Sequence, residues 1–173
     1  MFGIFGKKPA VQSGAEMAEE GLKEISAAVK DGSISLEQGR MFKDIYLHVD
    51  TPEGTPRFSY VITSPSNARK VVGRCVILLD RPAGGLPVWQ IDWAIERSER
   101  GKGLGKAIVE KSLAEFTSGM RGKFKGGYFI EAVVDPENRA SNAIAERYLG
   151  GLKKVKAPRS GTYSNNYLKQ FDA

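Results

Sequence analysis

One cysteine and one histidine, Cys75 and His48, are all that the 173 residues supply of the side chains most used for soft-metal ligation and thiol chemistry. Cys75 has no partner for an internal disulfide and sits in an apolar, strand-like run, so it reads as a buried, inert thiol. A metal centre needs several such ligands at close spacing, and no Cys/His cluster exists, so no metal is expected. His48 stands alone on a strand-like segment and is expected to be structural. Long hydrophobic runs are also missing, since none approaches the roughly 20 residues needed to cross a bilayer. The opening residues Met1 to Lys8 place their charge after a short apolar part, the reverse of a secretory leader. A reducing, cytoplasmic compartment without membrane contact is the expectation. Acidic residues are the minority, 20 against 26 basic ones, for a net charge of +6. The basic residues concentrate at 97–106, 121–125 and 153–159.

What is present is organised around residues 88–116. Val88, Trp89, Ile91, Trp93 and Ile95 form a β-prone run. From Leu104 the period turns helical, with Ile108, Val109, Leu113 and Phe116 sharing one face. Between strand and helix lie Gly101, Gly103 and Gly105, with Arg100 before them and Lys102 and Lys106 among them. The first turn of a helix leaves backbone N–H groups without partners at the positive end of the helix dipole. Glycines remove the side chains that would keep an anion from those donors. The junction therefore suits a phosphate or pyrophosphate. The spacing excludes the common nucleotide motifs. A dinucleotide fingerprint needs G-x-G-x-x-G, and a Walker loop needs Ser or Thr where Ala107 follows Lys106.

The pattern that fits is R-x-x-G-x-G, carried by Arg100, Gly103 and Gly105. With Trp93, Ala94 and Ile95 before it, this segment resembles the acetyl-CoA-binding motif of the GNAT superfamily of N-acetyltransferases. A second segment, from Asp135 to Gly150, is similar to that family's N-x-x-S/A stretch, with Asn138 and Ser141 in the matching places. The resemblance covers roughly residues 40–170.

The rest of the chain fits a domain of α+β class. Residues 1–13 carry Gly3, Gly6 and Pro9 without any hydrophobic period and read as a mobile tail. Met17, Ala18, Leu22, Ile25 and Val29 line one side of a helix over 16–30. Ser35, with Gln38 three residues on, carries a capping signature for a second, shorter helix. This N-terminal helical hairpin serves docking on the domain, dimerisation or capture of a partner. Strands are expected at 44–50, 57–63, 70–80 and 88–96 as an antiparallel meander. Helices at 103–118 and 138–149 flank a central strand at 128–134, and strands near 152–155 and 162–171 close the chain. The division is a tail and hairpin over 1–42 and a GNAT-like domain over 43–173. The resemblance implies a mixed, mostly antiparallel sheet, splayed at its centre between helices.

It also implies an acetyl-CoA-dependent transfer of an acetyl group to an amine on a protein or small molecule. Trp93, Ala94 and Ile95 would hold the pantetheine arm through their backbone, and Gly101, Lys102, Gly103, Leu104, Gly105 and Lys106 the pyrophosphate. Arg100 takes the family's Gln/Arg position, and Asn138 and Ser141 steady the arm from the other side. A base must free the amine, and Glu131 and Asp92 are the carboxylates isolated within apolar strands. The family's frequent tyrosine is replaced by Ala145, leaving Tyr148 as the candidate acid or a core residue. The acceptor side is expected from the hairpin, the turn at 52–56 and the last strand with Tyr163 and Tyr167. The basic surplus fits the phosphates of coenzyme A or a polyanionic partner such as nucleic acid or the ribosome. A GNAT-shaped binding module without catalysis is the competing reading.

Overall fold

The computed structural model describes residues 13–156 and 161–172. Residues 1–12 of the tail expected over 1–13, and the end of the third basic cluster, lie outside them. The chain opens with helix α1, Gly14–Asp31. Ser13 caps it by accepting from the amide of Glu16 at 3.2 Å, while the Glu16 carboxylate accepts from the amide of Ser13 at 2.7 Å. Gly32 ends it in the left-handed region at φ 79°.

The second helix of the expected hairpin is absent. Residues after Ser35 form instead a two-residue strand β1, Glu37–Gln38, paired with β2, Tyr46–Asp50. The local capping signature loses to tertiary partners. The amide of Gly39 donates to Ile45 O at 2.8 Å, and those of Met41 and Phe42 donate to one Glu115 oxygen at 2.7 and 3.0 Å. So short a segment gains little from helix formation alone.

β3 (Arg57–Ser64), β4 (Asn67–Ala83) and β5 (Leu86–Ile95) continue the antiparallel meander, with β4 longer than its apolar centre suggests. Helix α2, Leu104–Met120, crosses over to β6, Tyr128–Val134. Helix α3, Arg139–Tyr148, then leads to β7 (Lys153–Lys156) and β8 (Tyr163–Phe171). Among the described residues eight strands lie in the order β1-β2-β3-β4-β5-β6-β8-β7, and only the β5–β6 pair is parallel. This is the expected α+β class, a mostly antiparallel sheet flanked by helices.

Two apolar clusters hold the layers. On one face Phe116 of α2 meets Phe58, Trp89 and Tyr128 edge-on, with ring centroids 5.2, 5.0 and 5.9 Å apart. On the other, Ala18 and Leu22 of α1 pack on Val61, Val71 and Ala94. Ala18, Leu22, Ile25 and Val29 of the stripe are thus docked core, as their spacing suggests, whereas Met17 is 55% exposed. Gly21 allows the close approach, since a Cβ there would lie 1.8 Å from Arg74 Nη1. Cys75 is fully buried between these layers, and burial pushes its thiol up to about 12. His48 sits on β2 with Nδ1 3.3 Å from Ser35 O. Among the described residues no helix is long and apolar enough to cross a membrane.

Phe116→Ala is expected to cost about 3–5 kcal/mol of folding stability, because it empties the ring cluster that joins α2 to the sheet. Chemical denaturation of the two proteins, compared at equal slope, measures it.

Candidate active site

The parallel pairing of β5 with β6 covers three rungs, Val88 with Phe129, Trp89 with Ile130 and Gln90 with Glu131, and then stops. β5 stays paired with β4 through Ile95, so its other edge, from Ile91 on, turns to a gap inside the sheet. That gap widens into a cleft of about 790 Å³. The backbone walls are Trp93, Ala94 and Ile95 on β5 and Val133 and Val134 on β6.

At its upper end the chain passes Gly101 and Gly103, both in the left-handed region at φ 77° and 80°, and enters α2 with no side-chain cap. The first bond of this helix runs from the amide of Ala107 to Gly103 O. Among the described residues, the amides of Gly101, Lys102, Gly103, Leu104, Gly105 and Lys106 donate to nothing. Bare donors at the positive end of a helix, beside a cleft, form an anion cradle.

The cleft is lined by Trp93, Ala94, Ile95, Arg100, Gly101, Gly103, Leu104, Gly105, Lys106, Asn138 and Ser141, each named from the sequence. Lys102 stands apart from the lining and pairs with Glu99 at 2.9 Å. Arg100 is held rather than free. Its Nε donates to Ile95 O at 3.0 Å and its Nη2 to Glu19 of α1 at 2.6 Å. That bond holds the Glu19 carboxyl below the usual carboxylate range. The Asn138 side chain accepts from the amide of Ser141 at 3.1 Å and so caps α3.

The three candidate acid–base residues separate. Asp92 lines the cleft with its side chain half exposed, and not buried as its apolar strand suggests. One of its oxygens accepts from Arg74 Nη2 at 2.7 Å, and the other has no partner among the described residues. Glu131, 6% exposed, lies in the last paired rung and outside the lining. One Glu131 oxygen accepts from Arg81 at 2.9 Å and from Gln90, and the other from Asn166 at 3.4 Å. Tyr148 is not brought to the cleft. Its hydroxyl donates to Glu110 at 2.9 Å on the outer side, and burial followed by that bond raises its pKa above the ordinary value.

The hairpin was expected on the acceptor side, and its first helix does reach the cleft: the cap Ser13 with Gly14, Ala15, Ala18 and Glu19 of α1 lines the mouth. One contribution was not anticipated. Asn142 is the hub that fixes α3. Its Nδ2 donates to Asp135 O and Asn138 O, each at 2.8 Å, and its Oδ1 accepts from Asn165 and Tyr167, also at 2.8 Å. An asparagine next to the motif serine was the signal available. Of the expected acceptor-side residues, Tyr163 lines the cleft, whereas Tyr167 is spent on Asn142 and the turn at 52–56 does not reach it. Among the described residues no group of three or more His, Cys, Asp or Glu could hold a metal ion.

The model of the acetyltransferase (GNAT) domain matches residues 22–148, beginning inside α1. The fold is similar to that of the ribosomal-protein-S5-alanine acetyltransferase from Vibrio fischeri, at 13% identity and a TM-score of 0.50 over 66% of this chain and 61% of that one. It is similar in the same degree, 0.50, to RimL, a ribosomal L7/L12 α-N-protein acetyltransferase solved with coenzyme A. There the identity is 18%, over 68% of this chain and 63% of that one. At such identities the likeness is one of fold, and this chain spans less than two thirds of either structure. No curated protein matches the sequence.

Proposed function

The chain belongs to the acetyltransferase (GNAT) family, and from that membership we propose that it transfers an acetyl group from acetyl-CoA directly to an amine. The observation that carries this reading is the interrupted β5–β6 pairing, with a helix mouth of bare amides at its upper end. The residues present fit the cofactor. An extended, amide-bearing arm can pair with the free edge of β5 from Trp93 to Ile95, and a pyrophosphate suits the donors from Gly101 to Lys106. Asn138 and Ser141 stand on the opposite wall. Acetyl-CoA supplies an acetyl thioester, which an unprotonated amine attacks with loss of the thiolate.

The chain's own task is to take a proton from the ammonium form of the acceptor and to shield the site from bulk water. Asp92 is the carboxylate best disposed for this, directly or through a water. It faces the cleft, keeps one oxygen free, and has the other fixed by Arg74. Glu131, whose oxygens are engaged by Arg81, Gln90 and Asn166, is assigned the lesser part of shaping the point where the strands part. The acceptor approaches past the mouth of α1 and Tyr163, and its class is an amine on a protein or a small molecule.

Two experiments test this. Gly105 has no left-handed backbone to strain, but a Cβ there would sit 3.3 Å from Ile144 Cδ1 and 3.7 Å from Ile95 Cγ1. Gly105→Val is expected to weaken acetyl-CoA binding about tenfold or more by filling the cleft mouth, with the melting temperature within a few degrees of wild type. Calorimetric titration reads it, and unchanged affinity would overturn the cofactor cradle. Asp92→Asn is expected to lower kcat about a hundredfold with acetyl-CoA affinity unchanged, in a thiol-release assay over protein and small amines. Loss in Glu131→Gln with none in Asp92→Asn would reverse the two roles.

A further inference from the structure

Beyond Arg100 a second cavity, of about 670 Å³, lies between the outer flank of α1, the start of β4 and the turn after β5. Leu22, Val71 and Ile95 give it an apolar floor. Around that floor stand Lys23, Lys30, Lys70, Arg97 and Arg100, against only Glu19 and Glu96. Five cations less two carboxylates leave a net charge of +3 on one concave surface. Both carboxylates are already engaged. Glu19 meets Arg100 at 2.6 Å and Arg97 at 4.0 Å, and Glu96 meets Lys70 at 3.6 Å. Lys30 has no hydrogen-bond or ion-pair partner among the described residues, and Lys23 feels Glu19 only from beyond ion-pair distance.

Ammonium groups gathered on one cavity repel each other, and the low-dielectric floor weakens the screening between them. An anion relieves that repulsion, and phosphate offers several strong acceptors to lysines standing at different angles. We infer that this cavity is a phosphate-binding subsite. It shares Glu19, Ile95 and Arg100 with the cleft, so the two communicate through the Arg100 side chain. The phosphoryl group therefore has two sources. It belongs either to the ribose 3′-phosphate of the coenzyme A seated next door, which rests on the function proposed above, or to a separate phosphorylated molecule.

The test measures binding of coenzyme A, 3′-dephospho-coenzyme A and inorganic phosphate to wild type and to the triple variant Lys23→Ala/Lys30→Ala/Lys70→Ala. All measurements are made at low and at high salt, where a phosphate contact of this kind weakens. If the source is the 3′-phosphate, the triple variant loses about tenfold or more in coenzyme A affinity and nothing in dephospho-coenzyme A affinity. If the source is a separate molecule, both coenzyme forms bind the variant normally. Inorganic phosphate then binds wild type saturated with dephospho-coenzyme A and does not bind the variant. The matching triple Lys→Arg variant is expected to keep wild-type binding, which separates charge from a fold defect. Unchanged binding of coenzyme A and of phosphate in the alanine variant would overturn the subsite. Failure of wild type to bind either coenzyme form would sink the cofactor reading alone, and phosphate titrated onto the free protein would still decide this one.

Discussion

The structure depends on a ladder that ends early. β5 and β6 run side by side for three rungs and then diverge, while β5 remains bonded to β4 and β6 to β8. Each strand is thus held from behind and bare in front. A sheet interior normally leaves no backbone donor or acceptor without a partner, because an unpaired one away from water is costly. Here a row of them is kept open at the centre of the molecule, where the neighbouring rungs fix their spacing. Any extended molecule with amides at regular intervals finds half of a strand pairing already built.

The helices make that opening usable. α2 starts where β5 ends, so its uncapped first turn opens onto the end of the gap. α3 is held on the other side by Asn142, which joins its first turn to β8. α1 closes the opposite face, and its docking runs through one chain of contacts. Bare Gly21 admits the Arg74 guanidinium, and Arg74 reaches beneath the helix to Asp92. A glycine inside a helix costs about 1 kcal/mol relative to alanine. What this one permits is a cation placed behind the carboxylate that faces the cleft.

Much of this was legible in the sequence because local and global signals agree. The apolar periods of 88–96 and 104–116 change at the glycines, and the strand and helix do the same. The stretch after Ser35 was misread because a capping pattern is only local information. Glu115, more than 70 residues away, offers its carboxylate to the amides of Met41 and Phe42 and draws that segment out of a helix. Asp92 and Glu131 looked alike, each a lone acid in an apolar strand. They differ in exposure and in what lies across the sheet, Arg74 for one and Arg81 with Gln90 for the other, and strand periodicity does not report cross-strand neighbours.

The two tryptophans stand four residues apart on the same face of β5, at different depths. Trp89 is 2% exposed, wedged edge-on among Phe58, Phe116 and Phe124, while Trp93 looks into the cleft. The strand thereby carries a pair of optical reporters with separate duties. The indole of Trp89 changes its emission when the core melts, and that of Trp93 when something enters the gap.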